Sequence, residues 1–445
     1  MSSSKRPPAA SPSSKPTRAI LVAVVDPSID ERAAQRSQDE LCALVDGLGI
    51  VVVERIVQRR AVGPSMTYLG QGKLKELAAK TGGPGEVVRG PEPQGPVPLV
   101  DDDLVVVVDD ELSPQIERAL TLALGVEVLD RTRVILRVFE ARARTREAML
   151  EIEIARRSHE LPRIRDDHSR GDREGGGGRA SRGHSNVELA KQRERIRIAA
   201  LRREADEIDA RGQERRADRG EHFTVALVGY TNAGKSSLMR ALTGSDVFIE
   251  NKLFATLGTT VRQLSPPSVP PVLVVDTVGL IDRLPHALVA SFRSTLREAS
   301  GASLLLIVAD ASDTHVSAQL AVTARVLEEI GAGHIPSLVV LNKADLLDDE
   351  TRCARIAQVP NAWLMSAHRP DDVAALRLRI EAKLADELVS ETLTLPYSAL
   401  KWVHEVRERV QIVSQVYDDD VTLTVRGRQS DLTRLRARLS REHAA

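Results

Sequence analysis

The chain has 445 residues, 42% of them hydrophobic and 28% charged, with a formal net charge of −1 and only two cysteines, Cys42 and Cys353. That length exceeds what one core organises and suggests about three domains with linkers. Two distant cysteines without metal-ligand spacing exclude a disulfide framework or a zinc site and fit a reducing cytosol, and the longest apolar runs, 104–108 and 304–309, end at acidic residues far short of a membrane span.

Residues 1–18, rich in Ser, Pro and Lys/Arg, lack the long apolar segment of a secretory signal and read as a disordered tail. Residues 19–25 read as a buried strand, 30–48 as an amphipathic helix and 50–57 as a second strand, the alternation of an α/β unit. A helix over 70–79 follows, and the Gly/Pro-rich stretch 81–98 breaks the pattern. Residues 104–108 form another buried strand, Ser113-Pro114 opens a helix with proline in its first turn, and 126–129 supplies a fourth strand. The expectation is a mostly parallel α/β domain over 19–157. Residues 131–160 are helix-prone and strongly charged until Leu161-Pro162. After the glycine run 175–178, residues 187–219 resume as a long Arg/Glu-rich helix with Leu189, Ile196, Leu201 and Ile208 loosely heptad-spaced. Two such helices predict a hairpin over 158–221 whose tip, 163–184, combines glycines with arginines. Across 131–220, 24 Lys/Arg face 17 Asp/Glu, an excess that invites a polyanion, although alternating charges equally suit a solvated, ion-paired face.

Between the apolar run 223–228 and the helical 237–242 stands Gly229-Tyr230-Thr231-Asn232-Ala233-Gly234-Lys235-Ser236, a complete phosphate loop followed by Ser237. A strand aims such a loop and a helix N-terminus completes it, so that backbone N–H groups cradle phosphate oxygens. Gly229 and Gly234 allow close approach, Lys235 reaches the β/γ oxygens, and the Ser236 hydroxyl is placed for Mg²⁺. The loop Phe254-Ala255-Thr256-Leu257-Gly258-Thr259-Thr260 lies where a first switch is expected. Thr256 is favoured to complete the magnesium shell, with Thr259 and Thr260 as alternatives that spacing does not separate. Asp276-Thr277-Val278-Gly279 ends the strand 271–275 and supplies a Walker-B-type carboxylate and a glycine whose N–H senses the γ-phosphate. Leu280, next to it, offers no donor or acceptor to an attacking water, so unaided hydrolysis is expected to be slow. Either a partner orders the switches, or a monovalent cation such as K⁺ held by Asn232 assists; Asn232 equally fits a turn of unusual dihedrals. Lys235, Asn232 and Gly279 are the candidate catalytic residues. Asn342-Lys343-Ala344-Asp345 follows the strand 337–341, and Asp345 can accept from both the ring N–H and the exocyclic amine of guanine, a pair adenine lacks. Ser366-Ala367-His368 fits a second base-binding loop. These segments predict a P-loop domain over 222–388 with a doubly wound sheet, and a small α+β domain over 389–445.

The chain resembles the HflX family of translation-associated GTPases over most of its length. The resemblance is carried by Tyr68-Leu69-Gly70-Gln71-Gly72-Lys73, Asp110-Glu111-Leu112-Ser113-Pro114, Asp130-Arg131-Thr132, Ala143-Arg144-Thr145-Arg146-Glu147, the segment 276–296 and the phosphate loop with Tyr230 and Asn232. It implies a cytoplasmic GTPase, expected to be monomeric, that binds GTP and GDP with Mg²⁺ at Ser236 and Thr256. It further implies contact with the large ribosomal subunit and its rRNA, and in some members the splitting of stalled or hibernating ribosomes. The family carries an apolar residue, usually Phe, where Leu280 stands. Some members handle ATP through the N-terminal domain, although no second phosphate loop supports that here. The chain departs from the family's R-G-P-G-E-T-x-L-E hairpin tip, keeping only its outline in Arg182-Gly183-His184-Ser185-Asn186-Val187-Glu188-Leu189, and has His368 in place of the usual Lys. A divergent paralogue fits these departures. The competing class of function is a nucleotide-gated binding module with negligible turnover that acts on another protein or RNA.

Overall fold

The structure, a computed structural model, describes residues 17–61, 68–87, 99–164, 179–219, 222–245, 260–281, 299–395, 397, 410–418 and 420–443. They belong to two compact units, one drawn from Met1–Ala141 and Ala155–Ile198, the other from Arg142–Ile154 and Ala199–Ala445. The expected tail, most of the hairpin tip, and residues 254–258 lie outside the described residues.

In the first unit β1 (Arg18–Val25), β2 (Val51–Arg59), β3 (Leu104–Val108) and β4 (Glu127–Asp130) form one sheet in the order β2-β1-β3-β4. Every pairing in it is parallel. Each residue of β3 is buried, as an apolar strand covered by helices on both faces must be. Helices α2 (Gln71–Thr81) and α3 (Pro114–Leu124) bring Leu74, Leu77, Leu120 and Leu124 against Ile20, Val22, Ile56 and Val106. On the other side α1 (Glu31–Gly47) brings Ala34 to Ala23 and Val25. The boundary of α3 follows its local chemistry. The Ser113 hydroxyl caps it by accepting from the Ile116 N–H at 3.4 Å, Pro114 stands at its first turn, and Gly125 ends it at φ +68°.

The charged stretch after β4 divides into α4 (Arg131–Arg142) and α5 (Arg146–Glu160). The break falls where the Thr145 hydroxyl accepts from the Ala148 N–H at 3.2 Å, because a threonine competes with the helical backbone and starts a new helix instead. Helix α6 (Arg179–Arg219) follows, and the ion pairs Arg157–Glu194 (2.8 Å) and Arg146–Glu204 (2.7 Å) tie α5 and α6 with opposite chain directions.

In the second unit β5 (Phe223–Gly229), β6 (Thr260–Gln263), β7 (Val272–Asp276), β8 (Leu304–Asp310), β9 (Ser337–Asn342) and β10 (Trp363–Leu364) form a sheet in the order β10-β9-β8-β5-β7-β6. Only β6 runs antiparallel within it, against β7. Alternate residues of β5 serve opposite faces. Phe223, Val225 and Leu227 pack with Leu238 and Leu242 of α7 (Lys235–Thr243) and Leu376 and Ile380 of α10 (Pro370–Ala385), while Ala226 and Val228 pack with Leu327 of α8 (Val316–Glu329). Helix α9 (Asp349–Gln358) lies between β9 and β10 in the chain. A separate antiparallel sheet, β11 (Val389–Leu395), β13 (Val421–Gly427) and β12 (Gln411–Tyr417) in that order, precedes α11 (Gln429–His443). Its core joins Leu393, Leu395, Val421, Leu423 and Val425 to Leu432 of that helix, giving the expected α+β appendage.

At the start of α4, Arg131 is buried between Asp109, 2.8 Å away, and Glu40. Burial works against its charge, yet the two carboxylates more than offset that and raise its pKa above the ordinary arginine value. Removing the guanidinium strands both anions in a dry site. Arg131→Ala is therefore expected to lower stability by about 3–5 kcal/mol, read as a shift in the urea unfolding midpoint of the full chain.

Candidate nucleotide-binding site

Strand β5 ends at Gly229 and α7 begins at Lys235, so the phosphate loop occupies the strand-to-helix turn its chemistry requires. Both glycines are needed. A Cβ on Gly229 would stand 2.0 Å from the Val308 carbonyl oxygen, and one on Gly234, whose φ is +88°, would stand 2.2 Å from the Asn342 side-chain nitrogen. Asn232 is left-handed at φ +60° and exposed, a conformation asparagine tolerates well. The Lys235 ammonium is buried and donates to the carbonyls of Gly229 (3.1 Å) and Tyr230 (2.9 Å). It has three N–H donors, so one remains for a ligand. Burial pulls its pKa down to about 8, with Asp276 acting in the opposite direction.

Asp276 closes β7 with no exposed surface, and the Ser236 hydroxyl donates to it at 2.8 Å. Thr277 donates from its hydroxyl to the Leu227 carbonyl at 2.7 Å, and Val278 is buried. Beyond them the strand leaves its register. Phe223 to Leu227 pair with Val272 to Asp276, but Tyr230 pairs with Leu280, one residue further along. The extra residue falls between Asp276 and Leu280, and a Cβ on Gly279 in that stretch would lie 2.8 Å from Thr231 Cγ2 and 3.2 Å from Lys235 Nζ. Leu280 is fastened by its own backbone: its N–H donates to the Gly229 carbonyl at 3.0 Å, and its carbonyl accepts from the Thr231 N–H at 2.8 Å. Its side chain is buried.

Asn342, buried at the end of β9, joins two loops. Its amide nitrogen donates to the Ala233 carbonyl at 3.0 Å, and its amide oxygen accepts from the Ala367 N–H at 3.0 Å. Lys343 is left-handed at φ +65°, with its ammonium 2.6 Å from Asp310. Ala344 is buried and donates to the Met365 carbonyl at 3.0 Å, leaving Asp345 exposed beyond it. The Ser366 hydroxyl holds the Asp345 carboxyl below its usual range against a small opposing effect of burial, helped by the local backbone, His368 and Arg369. Asp345 is thus an ionised acceptor at neutral pH. Ser366 is itself fixed by its N–H to Asp372 at 2.8 Å, and the His368 N–H donates to the Ser366 hydroxyl at 3.2 Å. The segments 229–237, 276–280, 342–345 and 366–368 therefore meet at the carboxyl ends of parallel strands, where ligands bind in open α/β sheets. Phe254, Ala255, Thr256, Leu257, Gly258 and Thr259 lie outside the described residues, whereas Thr260 sits in β6 opposite Asp276.

Three family models match the chain: one for the N-terminal region of GTP-binding GTPases over residues 35–140, one for their middle region over 142–219, and one for 50S ribosome-binding GTPases over 224–343. The chain is 46% identical over 442 residues to the GTPase HflX of Gluconacetobacter diazotrophicus, spanning 95% of this chain and 98% of that one. The chain belongs to the HflX family of GTPases. It is 34% identical over 362 residues to the GTPase HflX of Escherichia coli, covering 80% of this chain and 81% of its relative. Among solved structures, a GTP-binding protein from Sulfolobus solfataricus in complex with GDP matches with a TM-score of 0.41 at 22% identity, over 83% of this chain and 99% of that one. Membership of the HflX family makes the chain a GTP-binding GTP hydrolase.

Sequence reasoning missed several residues that shape this HflX-family site. Asp310, Asp372 and Arg352 of α9 hold the 342–345 and 366–368 segments, and Arg355 holds the loop after β8, without belonging to any motif. One signal was available for Asp310: it is the only charge in the run 304–310 and stands at the carboxyl end of its strand.

The low pKa of Lys235 carries two opposite consequences. If the Lys235 ammonium meets phosphate, binding above about pH 8 takes up a proton, and GDP affinity is then expected to fall by up to about tenfold per pH unit. Titration calorimetry in buffers of different ionisation enthalpy reads that uptake directly. For folding the sign reverses. The unfolded lysine keeps its proton up to its ordinary pKa of 10.5, so burying Lys235 costs stability below about pH 8, and that cost fades as pH rises toward 10.5.

Proposed function

We propose that this GTPase binds GTP with Mg²⁺ through Gly229–Ser237, 254–258, 276–279, 342–345 and 366–368, and couples turnover to binding the large ribosomal subunit through its rRNA. It acts as a monomer in the cytoplasm. The observation that carries the reading is the Asn342 amide, which ties the loop suited to phosphate to the loop suited to guanine. In this assignment the remaining Lys235 N–H meets a β/γ oxygen, the Gly279 N–H meets the γ-phosphate, Asp345 accepts from guanine, and the 366–368 loop donates to its O6. The Ser236 hydroxyl, backed by the buried Asp276 carboxylate at 2.8 Å, is an oxygen donor of the kind Mg²⁺ prefers, and Thr256 completes the protein's share. An ion held by Ser236 and Thr256 would supply neutralisation of the negative charge on the phosphate groups.

Leu280 is buried and its backbone is engaged, so it has nothing with which to orient the attacking water. We assign that task to an outside trigger. Helix α6 supports an rRNA partner: its 41 residues hold 12 Lys/Arg against 8 Asp/Glu, and a basic helix gains affinity for RNA by displacing counterions. The 50S-binding description of the matched family model agrees. The exposed Asn232 is assigned as the point where a K⁺ ion assists.

Multiple-turnover GTP hydrolysis with graded amounts of purified large subunit tests this reading. We expect a rise of at least about tenfold that weakens steeply as salt increases. A rate indifferent to subunits would overturn the coupling. Replacing K⁺ by Na⁺ in the same assay should slow turnover, and equal rates would remove the cation.

A further inference from the structure

The 342–345 turn is held from behind by Asp310 and Arg352, which lie outside the segments assigned to the nucleotide. Lys343 carries a left-handed φ of +65°, a conformation that residues with a Cβ keep only when their surroundings impose it. Three tethers impose it here. The Lys343 ammonium meets Asp310 Oδ2 at 2.6 Å, with both side chains largely shielded from water. The Ala344 N–H donates to the Met365 carbonyl at 3.0 Å, and the Arg352 guanidinium of α9 donates to the Ala344 carbonyl at 2.9 Å.

Asp310 is in turn fixed from two sides. Its other oxygen accepts from the Ser312 N–H (2.9 Å) and hydroxyl (2.6 Å), and the following residue, Ala311, donates its N–H to the Asn342 carbonyl at 2.8 Å. Arg355, one helical turn after Arg352, donates to the carbonyls of Ala311 and Asp313, both at 2.9 Å. Helix α9 thus grips the loop that carries Asp310 and the turn that carries Asp345.

We propose that Asp310 and Arg352 are positioning residues for guanine selectivity: through Lys343 and the Ala344 carbonyl they hold the Asn342–Asp345 turn in the one orientation that lets Asp345 take two hydrogen bonds at once. The inference rests on the reading of this site as guanine-specific. Two parallel N–H···O bonds demand orientation as well as distance. A turn that rocks by a few degrees keeps the bond to the ring N–H and loses the one to the exocyclic amine. Hypoxanthine lacks that amine, so IDP never makes the second bond. Slackening the turn must then weaken GDP more than IDP and narrow the ratio between them, which a general loosening of the site would leave alone.

The test measures GDP, IDP and ADP affinity by calorimetry on the full chain for the parent, Asp310→Asn and Arg352→Met. Asp310→Asn keeps an acceptor for Ser312 and removes the charge facing Lys343. Arg352→Met keeps the stem and removes the donor to Ala344. Each is expected to weaken GDP at least tenfold and IDP no more than about threefold, narrowing the GDP/IDP ratio by a factor of three or more. Thermal midpoints check folding, and because the two variants act from opposite sides of the turn, either alone suffices if the other does not fold. Variants that keep the parent ratio, whether or not both affinities drop, overturn the proposal. If neither folds, the two residues are core supports and the proposal fails. A parent chain that binds GDP no better than ADP or IDP would instead refute the guanine reading beneath it.

Discussion

One buried side chain holds the nucleotide edge together. The Asn342 amide donates to the Ala233 carbonyl and accepts from Ala367, so the loop after β5, the turn after β9 and the loop after β10 are spaced by a single planar group. An amide can do this because it presents a donor and an acceptor at fixed separation. Burial makes the arrangement stringent, since either end left unmade would strand a polar group away from water. The same side chain explains Gly234, where a Cβ would stand 2.2 Å from the amide nitrogen. Glycine there serves the turn after β9 as much as the loop after β5.

Much of this was legible in the sequence because its determinants are local. The run Gly229 to Ser236 states its own turn, and Ser113-Pro114 states a helix start. Val105 to Val107, an unbroken β-branched run, states a strand covered on both faces. Asp345 could be singled out as a candidate guanine acceptor because the chemistry of one carboxylate against two N–H groups needs no knowledge of neighbours. Family membership then bore out the resemblance drawn from Tyr68 to Lys73 and from Ala143 to Glu147.

What stayed illegible depends on contacts between distant segments. Arg352 lies in a helix whose sequence gives no reason to expect its guanidinium on the Ala344 carbonyl, and Arg131 looks like the first basic residue of a solvated helix until α1 and β3 bring Glu40 and Asp109 to it. The break between α4 and α5 is an intermediate case. Thr145 followed by Ala148 is a readable cap, but the high helix propensity on both sides hid it. Strand β6 begins at Thr260, the last residue of the stretch read as a first switch, and nothing in the sequence singled out the strand. It exists because β7 offers an open edge, and Thr260 to Gln263 pair along it.

The one-residue slip between Asp276 and Leu280 has a mechanical meaning. Up to Asp276 the strand keeps step with β5; at Leu280 it has run one position ahead. A chain that has taken an extra step without covering extra ground carries about 3.3 Å of surplus extended backbone. That surplus is taken up between Asp276 and Leu280, so the backbone rejoins Tyr230 without disturbing the register of the sheet below.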